Sequence, residues 1–157
     1  MMTKEVISVR PSDRVIDVAE LLRQKGFNGV PVVENGKILG MITEADLVSR
    51  GPASLHIPSL IKFFQKLKME KYVSGKSDDD FESIFKANAG SIMNPDYISI
   101  SPDAEISELI KVFREKHVNP IPVVDQEKNL VGIISLSDIV KLISRFREAE
   151  LDFLSAG

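Results

Sequence analysis

Apolar positions along the chain alternate between two periods, and the same succession of periods occurs twice. Residues 6–9 (V-I-S-V) and 97–100 (Y-I-S-I) carry the alternating pattern of a short strand. A proline and acidic residues follow. Apolar side chains then fall at i, i+3, i+4 and i+7: Val15, Val18, Ala19 and Leu22, and later Ile106, Leu109, Ile110 and Phe113. That spacing predicts an amphipathic helix with one buried face in each stretch. Gly26 is placed to end the first helix, because glycine takes positive φ without strain. His117 stands at the same place in the second stretch and is expected at a solvent-facing helix end. Next come two β-rich runs, VPVV–ENG–KILGMIT and IPVV–DQEKN–LVGIIS, each interrupted by a short polar turn. These read as hairpins. A second helix follows each, Glu44 to about Arg50 and Leu136 to about Phe146.

The resulting unit is strand–helix–strand–strand–helix in fewer than 60 residues, and the chain contains it twice. Met2 to Val33 aligns with Met93 to Val124 without a gap at an offset of 91, with 10 of 32 positions identical. One extra residue in the second hairpin turn moves the offset to 92, after which Ile38 to Val48 matches Leu130 to Val140 with four more identities. That makes 14 of 43, and the matches fall on turn, proline and acidic positions such as Pro11/Pro102, Asn28/Asn119 and Asp46/Asp138. A unit of this size buries little core alone, so the two copies are expected to pack together in a mixed α/β (α+β) fold. The expected organisation is one repeat over 1–50, a helical insertion over 51–90, and a second repeat with a C-terminal helix over 91–157.

Composition then narrows the function. The 157 residues carry a net charge of −3, which argues against nucleic acid as an electrostatic partner. There is no cysteine, and the two histidines, His56 and His117, are too few for a recognisable zinc site. No run approaches the ~18 apolar residues of a membrane span, and the opening MMTKEVISVRPSD has no apolar signal core. These features read as a soluble cytoplasmic protein without membrane insertion. No nucleophile–base pair, metal cluster or glycine-rich phosphate loop stands out, so a binding module is expected rather than an enzyme, with no catalytic and no metal-ligating residues.

The I-S-V-R-P and I-S-I-S-P openings, the V-P-V-V and I-P-V-V strands, and the G-M-I-T-E-A-D-L and G-I-I-S-L-S-D-I ends, in order and twice, resemble the cystathionine-β-synthase (CBS) domain family. The resemblance covers about Met2–Arg50 and Ser91–Arg145. It implies a pseudo-twofold pair, a Bateman module, that binds adenosine-containing ligands in two clefts between the repeats and signals to a partner protein. It also implies a homodimer. Carried over by position, one cleft would use Ile133, Ser135 and Asp138 with Ser8, Phe27 and Gly29, and the other Met41, Thr43 and Asp46 with Ser99, Val118 and Pro120.

The chemistry of these positions is compatible with that role. Thr43 and Ser135 sit where a strand turns into a helix, and Asp46 and Asp138 lie three residues on. A carboxylate there can accept hydrogen bonds from both hydroxyls of a ribose, and the helix start can meet a phosphate or another polar group. Small or apolar residues at the hairpin entrance would form a slot for adenine. The same Ser/Thr-x-x-acid pattern is equally a helix capping box, and one residue can serve both roles.

Two departures from the family pattern matter. Where many nucleotide-binding members carry basic residues, this chain has Asn28-Gly29, Asn119-Pro120, Ala45 and Ser137. Lys25, Lys116, Arg50 and Lys141 lie nearby in sequence. A polyphosphate without cationic partners is costly to bury, so adenosine, AMP or S-adenosylmethionine is expected over ATP, with no tightly bound cofactor. The second departure is the long insertion. Leu60, Phe63, Phe64 and Leu67 have helical spacing within 57–72, packing on the module or forming an interface helix, while the acidic SDDDFES block that follows disfavours a basic membrane-surface helix. A loop is expected over 75–80 and a short helix through Phe81, Ile84 and Phe85. A scaffold of the same fold with empty clefts remains the alternative function.

Overall fold

The computed structural model describes residues 2, 4–49 and 86–155, with side chains described as far as Leu47 in the first stretch and Arg147 in the second. The expectations for Arg50 and for the insertion helices and loop over 57–85 lie outside these residues. Among the described residues the elements run α1 (Val15–Lys25), β1 (Gly29–Glu34), β2 (Lys37–Thr43), α2 (Glu44–Ser49), α3 (Ala89–Ile92), α4 (Ile106–Lys116), β3 (Ile121–Val124), β4 (Leu130–Ile134) and α5 (Leu136–Ser155). Helix and strand are mixed and both sheets are small and antiparallel, β1 with β2 and β3 with β4.

The chain forms two compact units, a first of Ile7–Tyr97 and a second of Met1–Val6 with Ile98–Gly157. In the first, Glu34 pairs with Lys37 across the two-residue turn Asn35-Gly36, both at positive φ (52° and 78°). That conformation matches the right-handed twist of the flanking strands. In the second, the longer turn is organised by Asp125, whose Oδ1 accepts from the N–H groups of Glu127 and Asn129, both at 2.9 Å. Both hairpins slip register at the same place, between Val32 and Val33 and between Val123 and Val124, next to the partners Gly40 and Gly132.

Each hairpin is covered by one helix. Val15, Val18 and Leu22 of α1 are buried with Val9, Val30, Val32 and Ile42; Leu109 and Phe113 of α4 are buried with Ile100, Ile121, Val123 and Ile134. Both helices end in a left-handed residue, Gly26 (φ 65°) and His117 (φ 52°), at the positions the repeat aligns. Among the described residues no helix is long and apolar enough to cross a membrane.

Four features differ from the sequence expectation. The four-residue opening strands are reduced to single parallel pairings, Val9 with Val32 and Ile100 with Val123. The chain passes from one unit to the other at Val6/Ile7 and at Tyr97/Ile98, so neither stretch can lie whole in one sheet. The residues before these points pack on the hairpin of the other repeat: Asn94 exchanges hydrogen bonds with Met41 at 2.8 and 3.0 Å, and Met2 lies against Gly132. In α4, Ile106 and Ile110 are exposed rather than buried. Finally, α5 runs on to Ser155 because no glycine or proline interrupts 136–155, and it leaves Leu136, Val140, Ile143 and Phe146 exposed along one stripe.

Candidate functional site

The two strand-to-helix turns have the same construction. β2 ends at Thr43 and α2 starts at Glu44. The Asp46 Oδ2 accepts from the Thr43 N–H at 2.8 Å and from its hydroxyl at 2.9 Å, and the Asp46 N–H donates to Thr43 Oγ1 at 3.4 Å. That is a reciprocal capping box with its return bond at the long limit. In the second unit, Asp138 Oδ2 accepts from the Ser135 N–H at 2.8 Å and hydroxyl at 2.9 Å, while the Asp138 N–H goes to the Ser135 carbonyl at 3.1 Å. The capping role is therefore filled at both turns. It uses Oδ2 in each case, and a carboxylate offers two oxygens with about four acceptor sites.

Burial differs between the two. Asp46 is buried, at 9% exposure, and the Asp138 side chain is at 17%. The Lys141 ammonium lies 4.0 Å from Asp138 Oδ1 on a largely exposed side chain, so a cation stands one helical turn from this carboxylate.

The register of each hairpin sets the segment before it against the turn. Gly29 pairs with Thr43, and the Glu44 N–H donates to the Asn28 carbonyl at 3.1 Å. In the second unit the Leu136 N–H donates to Asn119 Oδ1 at 3.0 Å, and the Asn119–Pro120 peptide is cis. The first unit thus brings together Gly29, Met41, Thr43 and Asp46, with Ser8 and Phe27 exposed on the segments that lead into it. The second holds Ile133 on β4, Asp138 on α5 and Ser135 between them, Val118 and Pro120 half-buried before β3, and Ser99 exposed beside Ile100. Met41 is buried and its main-chain groups are taken by Asn94, so little of it is left to meet a ligand.

Three contributors were not singled out as site residues in the sequence. Asn28 and Asn119 each accept from the first N–H of the helix, one by its carbonyl and one by its side chain, and Ser137 Oγ lies 2.6 Å from Ser135 Oγ. The identity Asn28/Asn119 across the repeat was the available signal.

Other titrating groups lie apart. The hydrogen bond from Arg23, helped by Gln24, holds the exposed Glu20 carboxyl down to about 2 on the outer face of α1. Burial pushes the Tyr97 phenol up; its hydroxyl lies 3.5 Å from the Ile38 carbonyl. Among the described residues no three His, Cys, Asp or Glu side chains are grouped to hold a metal ion.

Comparison with known proteins adds three kinds of relation. The family model described as CBS domain matches residues 1–52 and 89–145. An uncharacterized protein of Methanocaldococcus jannaschii, MJ0188, is 31% identical over 140 residues, which is 89% of this chain but only 41% of that protein's length. Among solved structures, CBSX2 in complex with AMP superposes with a TM-score of 0.66 at 22% identity, covering 93% of this chain and 94% of that one. The CBS domain pair of protein MJ0100, in complex with 5′-methylthioadenosine and S-adenosyl-L-methionine, gives 0.58 at 20% identity over 90% of this chain and 94% of that one. The model matches each repeat in turn, and together the two matches span most of the sequence. The repeated strand–helix–hairpin–helix unit is a tandem CBS pair, and the chain belongs to the CBS domain family.

Proposed function

We propose that this protein is a regulatory module that binds an adenosine-containing ligand and passes its occupancy to a partner protein. The observation that carries the reading is the twin construction of the turns. Asp46 and Asp138 are each fixed by two hydrogen bonds through Oδ2, which orients the carboxylate before any ligand arrives. A preoriented carboxylate at a strand-to-helix turn is suited to the two hydroxyls of a ribose. The related folds solved with AMP, and with 5′-methylthioadenosine and S-adenosyl-L-methionine, support an adenosine ligand here.

In this reading Asp138, Ser135 and Ile133 act with Ser8, Phe27 and Gly29 on one ligand, and Asp46, Thr43 and Met41 with Ser99, Val118 and Pro120 on another. Lys141 stands 4.0 Å from Asp138 and would serve at most a single phosphate there. AMP, adenosine and S-adenosylmethionine are therefore favoured over ATP. The module is not itself a catalyst, acts in the cytoplasm and works as a homodimer through the exposed stripe of α5. Titration calorimetry with AMP, S-adenosylmethionine and ATP tests the preference; ATP binding tighter than both others refutes it.

The reading of a ligand-free scaffold draws on one observation, that both carboxylates are already employed as caps. Thermal unfolding separates the two. A ligand at 100 times its Kd adds about 2.7 kcal/mol, and no shift with any adenine compound favours the scaffold.

A further inference from the structure

Corresponding hydrogen bonds start from the repeat-equivalent asparagines Asn28 and Asn119. In the first unit the Asn28 carbonyl accepts from the Glu44 N–H at 3.1 Å. In the second, Asn119 Oδ1 accepts from the Leu136 N–H at 3.0 Å. Each bond ties the segment before a hairpin to the first N–H of the helix that follows it.

The two ends of each bond belong to different sets of site residues. Asn28 lies between Phe27 and Gly29, while Glu44 stands between Thr43 and the Asp46 turn. Asn119 lies between Val118 and Pro120, while Leu136 stands between Ser135 and Asp138. In the adenosine reading, on which this inference rests, Phe27 and Gly29 serve one ligand, and Thr43 and Asp46 the other. Val118 and Pro120 serve that other ligand, and Ser135 and Asp138 the first. Each unit thus carries part of both sets, and one hydrogen bond joins the parts.

We propose that the two adenosine ligands bind with positive cooperativity, and that Asn119 is a positioning residue for the coupling. A ligand resting on Val118 and Pro120 restricts the residue between them, whose backbone the proline already confines. Asn119 then holds the Leu136 N–H, and with it the first turn of α5, in one arrangement. Ser135 and Asp138 are ordered before the other ligand arrives, so that ligand costs less conformational entropy to bind. By reciprocity, the ligand on Asp138 favours the one on Val118 and Pro120 by the same factor. In the first unit the link runs from main chain to main chain and survives any change of side chain. In the second it depends on the Asn119 amide. A neutral hydrogen bond is worth about two- to tenfold in an equilibrium, which bounds the share that Asn119 carries.

The test is a calorimetric titration of the full chain with AMP. Two AMP molecules per chain are expected, the second bound about fivefold or more tightly than independent sites allow. In Asn119→Ala that factor should fall to about twofold; a merely structural role would weaken both bindings and leave the factor unchanged. Circular dichroism verifies that the variant folds. Independently of that variant, the Leu136 amide resonance of Asp138→Ala should shift when AMP occupies the Asp46 set. One AMP per chain, a factor near one in the wild type, an undiminished factor in Asn119→Ala, or an unmoved Leu136 amide would each overturn the coupling while AMP still binds. No binding of AMP at all would instead refute the adenosine reading, and the coupling with it.

Discussion

Asp46 Oδ2 accepts two hydrogen bonds from the single residue Thr43, one from the main-chain N–H at 2.8 Å and one from the hydroxyl at 2.9 Å. Asp138 repeats the pair with Ser135 at the same distances. The relationship ties stability and ligand recognition to one carboxylate, and the two effects separate by measurement. Asp46→Ala and Asp138→Ala should each lower unfolding free energy by about 1–2 kcal/mol, the range for losing a helix cap. The more buried Asp46 should lie at the upper end. Denaturant unfolding gives the cost and calorimetry the nucleoside affinity. A stability loss with affinity unchanged would leave both residues as caps alone.

The equivalent glycines Gly40 and Gly132 should respond differently to alanine. A Cβ at Gly40 would stand 2.8 Å from the Asn94 main-chain carbonyl oxygen, which is held by the paired bonds to Met41. At Gly132 the obstruction is the flexible Met2 side chain. Gly40→Ala is expected to cost about 1–3 kcal/mol, and Gly132→Ala less, because a thioether repacks more readily than a fixed backbone. Equal losses in thermal unfolding would contradict this.

The two helix ends make a reciprocal pair of predictions. Gly26 and His117 share the left-handed conformation, at φ 65° and 52°. Gly26→Ala should destabilise by about 1 kcal/mol, since a Cβ is disfavoured there. His117→Gly should stabilise by a few tenths to about 1 kcal/mol, relief of the same strain being partly offset by unfolded-chain entropy. Paired denaturant curves read both, and the signs must be opposite.

Self-association is expected to run through α5, where Leu136, Val140, Ile143 and Phe146 form an exposed apolar stripe. Ile143→Asp should convert a dimer to a monomer in sedimentation velocity while changing the circular dichroism little, because the side chain is solvent-facing in the single chain. A wild-type monomer, or a variant that remains dimeric, would remove this interface from the account.

Local rules made much of the fold legible. Asn35-Gly36 named its turn, Gly26 its helix end, and the periodic apolar residues of α1 its buried face. The capping box was readable because Thr43 and Asp46 are three residues apart, within reach of a single turn. What stayed hidden depends on distant chain. Ile106 and Val15 occupy the same register, yet only Val15 is covered, by residues more than 70 positions away. The opening strands were overestimated because the chain changes unit within them, which no window of four residues can reveal. For the site, the turns could be read from the repeat, but the Asn119 and Ser137 bonds needed side-chain geometry.

The central claim is that Asp46 and Asp138 recognise the two hydroxyls of a ribose. Calorimetric comparison of AMP with 2′,3′-dideoxyadenosine monophosphate tests it most directly, because the base and phosphate stay constant. Loss of two hydrogen bonds to a carboxylate, each worth about 1.5–3 kcal/mol, predicts binding weaker by about a hundredfold or more. Equal affinity for the two compounds, or no binding of AMP at all, would contradict the account.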